Sequence, residues 1–203
     1  MDNDSMQLTR RRFAAGFALG SVALALPLPA MALNVDDARA LIDRAIADIN
    51  TVIASGKSEQ AMYGEFERIF VKYSDVAVIA RSALGVAAKQ ASKAQMTSFT
   101  KAFQGYISRK YGARFREFIG GEIEVVDARA VKSYFEVITV AKLKGEAPFD
   151  LRWHVSDKSG RNLFFNIIIE GVNMLASERT EIGSMLDKRK GNLDGLIEDL
   201  KTA

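Results

Sequence analysis

The stretch Leu163–Leu175 (Leu-Phe-Phe-Asn-Ile-Ile-Ile-Glu-Gly-Val-Asn-Met-Leu) limits the folds open to this chain more than any other. From Leu163 to Ile169 it is apolar and largely β-branched, broken only by Asn166. A continuous run of that length predicts a strand covered on both faces. Gly171 then permits a bend that a Cβ would strain, and the spacing of apolar residues turns helical. Such a strand needs partners on either side and something packed across it.

The preceding segments supply both. Ser133–Leu143 alternates at period two, with Phe135, Val137, Thr139, Ala141 and Leu143 on one face. Gly145-Glu146-Ala147-Pro148 reads as a turn, and Phe149–Val155 as a strand with Leu151, Trp153 and Val155 on one face. Asp157-Lys158-Ser159-Gly160 is a hairpin turn into Leu163–Ile169, and Glu122–Val126 reads as a short first strand. Connections this short require antiparallel pairing.

Upstream, the pattern is helical. Asn34 caps a stripe of Ala38, Leu41, Ile42, Ala45, Ile46 and Ile49 that stops at Gly56. Met62, Phe66, Ile69, Phe70 and Tyr73 mark a second helix; Ser74-Asp75 opens a third that ends at Gly85. Ser92-Lys93-Ala94-Gln95 has capping-box spacing. The longest helix follows, with Phe99, Phe103, Tyr106, Ile107, Tyr111, Phe115 and Phe118 inward, ending at Gly120-Gly121. A polar helix over 174–188 and a short amphipathic one with Leu193, Leu196, Ile197 and Leu200 close the chain. Helices, then strands, then helices predict an α+β domain. The expected architecture is N-terminal helices packed on a curved, mainly antiparallel four-stranded sheet, C-terminal helices and an internal hydrophobic cavity.

Residues 1–32 stand apart. Arg10, Arg11 and Arg12 precede an uncharged Ala/Gly/Leu stretch, and Ala30-Met31-Ala32 supplies the small-x-small cleavage pattern. These features mark an export signal, and the Thr-Arg-Arg-Arg-Phe run points to the twin-arginine route, with residues 33–203 as a single exported domain. The chain has no cysteine, so its core must stabilise it without disulfides. A net charge of +3 from mixed charges leaves no nucleic-acid footprint.

Catalytic chemistry is hard to find. The single histidine, His154, shares a strand face with Asp150 and Arg152, a face that reads as solvent-exposed because Trp153 occupies the other. No zinc-protease, nucleophile-elbow, Walker or dinucleotide-binding fingerprint is present, and no carboxylate cluster has metal-ligand spacing. No catalytic residue, metal or cofactor is expected. Abundant apolar faces on the sheet and long helix instead favour a binding cavity.

Glu170-Gly171-Val172-Asn173-Met174-Leu175 after an apolar strand resembles a segment of the MlaC family, periplasmic phospholipid-binding proteins also known as toluene-tolerance components of an ABC transport system. Ile79-Ala80 with Leu84-Gly85 resembles that family's Ala-x-x-x-Leu-Gly segment. Gln95, Phe99, Phe103, Tyr106 and Tyr111 resemble its Gln/Phe/Phe/Tyr/Tyr helix, and Gly191 to Leu200 its closing segment with Asn192 added. The chain departs from the pattern at Ala87 and Ala88, which stand for aromatics, at Asn166 for an aspartate, and at Asn173 for a serine.

The resemblance implies a periplasmic carrier that takes phospholipid between an outer-membrane lipoprotein complex and an inner-membrane ABC lipid transporter with an MCE-domain component, maintaining outer-membrane asymmetry. Another hydrophobic cargo, such as a hopanoid, and a nuclear-transport-factor-like enzyme are the alternatives. The expected tail contacts are Phe103, Phe135, Val137, Trp153, Phe165, Ile167, Ile169 and Val172, with Gly171-Val172 at the cavity rim.

Overall fold

The computed structural model describes residues 33–112 and 121–203. The expected export signal, with Arg10, Arg11, Ala30 and Ala32, lies outside the described residues, as do Phe115, Phe118 and Gly120.

Helix α1 (Val35–Ile53) begins where the Asn34 side chain accepts the Asp37 N–H, 2.9 Å away, and two acidic residues occupy its first turn. Its predicted stripe is buried. α2 (Glu59–Tyr73) is capped by Ser58 and α3 (Val76–Leu84) by Asp75. A 3₁₀ turn, Gly85–Lys89, leads to α4 (Lys93–Gly112). The capping box closes as its spacing requires: Gln95 N–H donates to Ser92 Oγ, and Ser92 N–H to Gln95 Oε1, each at 3.1 Å. Gly112 has a steric reason. A Cβ there would lie 2.7 Å from Tyr63 Cδ1, so the Tyr63 ring would have to shift to admit a side chain.

Five antiparallel strands follow in sequence order: β1 (Glu122–Val131), β2 (Tyr134–Lys142), β3 (Phe149–Ser156), β4 (Leu163–Ile169) and β5 (Val172–Asn173). Four were expected. The fifth arises because Glu170 and Gly171 both adopt positive φ, 48° and 81°, the requirement of a two-residue I′ hairpin turn. Ile169 therefore pairs with Val172, and the bend at Gly171 returns a strand stub before the helix starts. β1 runs beyond its expected end because a bulge at Val126 interrupts the alternation, leaving Val126 exposed while Val125 and Ala128 oppose Thr139 and Val137. Arg39 on α1 donates to the Val125 carbonyl beside this bulge, at 2.8 Å.

A second bulge falls in β4. Trp153 opposes Ile167 and His154 opposes Asn166, but Val155 opposes Phe164, so Phe165 is the extra residue. The slip changes parity and brings Phe164 onto the same face as Ile167 and Ile169. Both bulges bend and twist the sheet. α1 packs on β1, β2 and β3, and α3 on β4, so the helices cover the face bearing Val137, Thr139, Leu151, Trp153 and Val155. Asp75 N–H donates to the Phe164 carbonyl at 2.8 Å and straps the α2–α3 junction to β4. α5 (Met174–Lys188) and α6 (Leu193–Leu200) complete the layer against α3 and α4.

Candidate functional site: an apolar cavity under the sheet

Between the covered face of the sheet and the helices lies a cavity of about 340 Å³, within the range of small-molecule sites. Leu151 and Trp153 of β3, Phe164, Ile167 and Ile169 of β4, and α-helical Ile49, Phe66, Phe70, Ile79 and Ile107 line it, with Met174 and Leu175 at the start of α5. Trp153 shows how a polar group is kept from spoiling this wall. Its Nε1–H donates to Thr139 Oγ1 at 3.1 Å behind the wall, and its ring meets Phe164 edge-on at 5.2 Å.

Of the expected tail contacts, Trp153, Phe165, Ile167 and Ile169 border the cavity. The other four do not. Phe103 is fully buried and stacked on Phe99 at 5.7 Å, so it is packing between helices. Val137 is fully buried beneath the sheet face, where it opposes Trp153, and Phe135 packs half-buried at the far end of β2, opposite Val155. Val172 is 54% exposed on β5, because the I′ turn carries it past the edge of the cavity. At β4 the cavity opens on the helix side of the sheet. Phe164 was missed because the bulge breaks strict alternation. Ile49, Phe66 and Phe70 already belonged to recognisable helical stripes, and only their depth was unreadable.

Asn166, the one polar residue in the β4 run, is 7% exposed and borders the cavity. Its Oδ1 accepts the Leu175 N–H at 3.1 Å, while Asn173 Oδ1 takes the Ala176 N–H at the same distance. Two asparagines thus satisfy two free donors in the first turn of α5 and fix that turn against β4. The Asn166 amide nitrogen lies 3.5 Å from His154 Nδ1.

His154 is not on an open face. Tyr134 covers it with ring centroids 4.5 Å apart, and its Nε2 is 3.5 Å from Glu136 Oε2. Glu136, itself 7% exposed, is held by Arg129. Burial pushes the His154 pKa below the ordinary imidazole value, and the Glu136 carboxylate only partly opposes this. His154 does not border the cavity.

A polar cluster bounds the cavity where α4 ends. Glu178 Oε1 accepts from Lys110 Nζ at 2.7 Å and from Tyr111 OH at 2.5 Å. Lys110 also pairs with Glu181, whose other oxygen accepts from Tyr106 OH at 2.6 Å. Burial disfavours the Lys110 charge, but bonds to Glu178 and Glu181 outweigh it and raise its pKa. Burial and then their carboxylate partners raise both tyrosines, so Tyr106 and Tyr111 stay protonated donors. No metal-holding group of three or more His, Cys, Asp or Glu occurs among the described residues, and no helix there is long and apolar enough to cross a membrane.

Comparison with known proteins fits this geometry. A phospholipid-binding protein from Ralstonia solanacearum, solved in complex with a phospholipid, superposes with a TM-score of 0.69 at 20% identity, covering 80% of this chain and 94% of that one. At that identity the likeness establishes the shared fold. The family described as MlaC protein matches residues 39–202, nearly all of the described domain. The chain belongs to the MlaC family.

Proposed function

We propose that the protein is a periplasmic phospholipid carrier that seats acyl chains in the cavity under the sheet and exchanges them between membrane-bound complexes. The observation that carries this reading is the cavity itself, an apolar space walled by Trp153, Phe164, Ile167 and Ile169. The related Ralstonia solanacearum protein was solved with a phospholipid, which supports the same class of cargo here. The one histidine stands away from the cavity, and of the titratable groups that border it Tyr111 and Glu178 are tied to each other by a hydrogen bond.

The energetics suit a reversible carrier. Each methylene of the acyl chains that the cavity removes from water is worth roughly 0.8 kcal/mol. A bilayer offers the same chains nearly the same amount. A dry cavity that matches it leaves the transfer balance near zero, and a docked partner with differential affinity can then tip it. The export signal expected in residues 1–32 supports a periplasmic location, with the twin-arginine route as entry. An inner-membrane ABC lipid transporter with an MCE-domain component and an outer-membrane lipoprotein complex are the partners this reading requires.

The test is extraction and transfer. Protein purified without detergent is extracted with organic solvent and analysed by mass spectrometry, and its ability to move a fluorescent phospholipid between vesicle populations is measured. A stoichiometric phospholipid and protein-dependent transfer are expected. A different hydrophobic cargo in the extract overturns the phospholipid assignment, and neither cargo nor transfer overturns the carrier reading.

A further inference from the structure

The hydrogen-bond inventory of the Lys110–Glu178 cluster decides what kind of ligand it can meet. An ammonium carries three N–H groups, and Glu178 Oε1, Glu181 Oε2 and Tyr106 OH, the last at 3.2 Å, take all those of Lys110. Tyr106 gives its own hydrogen to Glu181 Oε1, and Tyr111 gives its hydrogen to Glu178 Oε1. Every donor of the cluster is committed. One acceptor is left over. Glu178 Oε2 has no hydrogen-bond partner among the described residues, although its side chain is only 4% exposed and the residue borders the cavity.

A buried carboxylate oxygen without a donor is costly, because water no longer solvates it and nothing replaces water. Glu178 shares the cavity wall with Met174 and Leu175, so a ligand seated against those residues meets its side chain. The cluster has nothing to offer a second acceptor such as a phosphate oxygen. It has one strong acceptor to offer a donor.

We propose that Glu178 is a headgroup-selecting residue: its free oxygen accepts a hydrogen bond from an N–H or O–H on the polar end of the bound lipid. The favoured ligands then carry a primary ammonium or a free hydroxyl beside their acyl chains. Lipids with the same tails and a trimethylated ammonium, which has no donor, are disfavoured. This inference rests on the cavity holding phospholipid tails.

The experiment loads the purified protein from vesicles containing equal parts of dioleoyl phosphatidylethanolamine, phosphatidylglycerol and phosphatidylcholine, and reads the bound pool by native mass spectrometry. Identical tails remove chain preference from the comparison. A hydrogen bond to an ionised group discriminates on the order of tenfold, so ethanolamine and glycerol lipids should exceed choline lipid by about that factor. In Glu178→Gln, where an amide replaces the carboxylate, the pool should return to the vesicle ratio. Equal loading of the three lipids by the unaltered protein overturns the proposal alone and needs no variant. Selection that persists in a folded Glu178→Gln protein assigns it elsewhere and overturns the role of Glu178. No loading of any lipid removes the carrier reading and this proposal together. Circular dichroism of the variant separates loss of selection from loss of fold.

Discussion

Asn166 offers the sharpest perturbation, because one side chain joins β4, α5 and His154. Asn166→Ala removes the acceptor for the Leu175 N–H, a 3.1 Å bond in a position that is 7% exposed. A donor orphaned under such cover costs about 1–3 kcal/mol, and loss of a helix cap alone costs about 0.5–2 kcal/mol. The expected loss is therefore about 2 kcal/mol, and for a domain of this size each kcal/mol lowers Tm by roughly 2–4 °C. Asn166→Asp separates two roles of the residue. A carboxylate still caps Leu175, but it has no N–H for His154 Nδ1 and favours a protonated imidazole instead. In the unaltered protein the His154 pKa is lowered, so the unfolded chain binds the extra proton first and stability falls as pH drops below about 6.5. In Asn166→Asp the folded pKa rises from that lowered value, so the loss of stability on acidification becomes shallower. Urea unfolding at several pH values between about 5.5 and 7.5 reads both effects. An Asn166→Ala protein within about 0.5 kcal/mol of the parent refutes the capping role. An unchanged pH slope in Asn166→Asp refutes the coupling to His154.

Three further outcomes follow from the packing. Gly112→Ala forces a Cβ to within 2.7 Å of Tyr63, and overpacking of this kind should lower unfolding stability by about 1–3 kcal/mol in denaturant titration. Phe103→Ala should cost about 3–5 kcal/mol, because that ring is fully buried between helices, without a matching change in cargo per folded molecule. Ile167→Asp should do the reverse: it keeps the domain folded by circular dichroism but places a charge in the cavity wall and abolishes lipid co-purification. An Ile167→Asp protein that retains full cargo would show the tails to lie elsewhere.

Much of this structure was legible wherever a single local rule governed. Asn34, Asp75 and the Ser92/Gln95 box each announce a helix start through a side chain that reaches only three residues along. Strand alternation placed Leu151, Trp153 and Val155 correctly. Reading failed where two residues far apart in sequence decide the outcome or where the backbone breaks period. The β4 bulge hid Phe164, the β1 bulge hid that strand's continuation to Val131, and the I′ turn moved Val172 out into solvent. Lys110 and Glu178 carry no mutual signal, since helix surfaces rich in charge look alike until packing brings two of them together. His154 was misjudged because alternation says which face a side chain takes, not whether a neighbour such as Tyr134 covers it.

The chain contains one tryptophan, and it borders the cavity. Trp153 fluorescence therefore reports on that space without labelling. Titration with phospholipids brominated along the acyl chains should quench its emission strongly, while unbrominated lipid of the same headgroup should not, because bromine quenches an indole only near contact. Saturable binding that leaves Trp153 emission equal for the two lipids would place the chains outside the cavity and contradict the tail-seating role assigned to it.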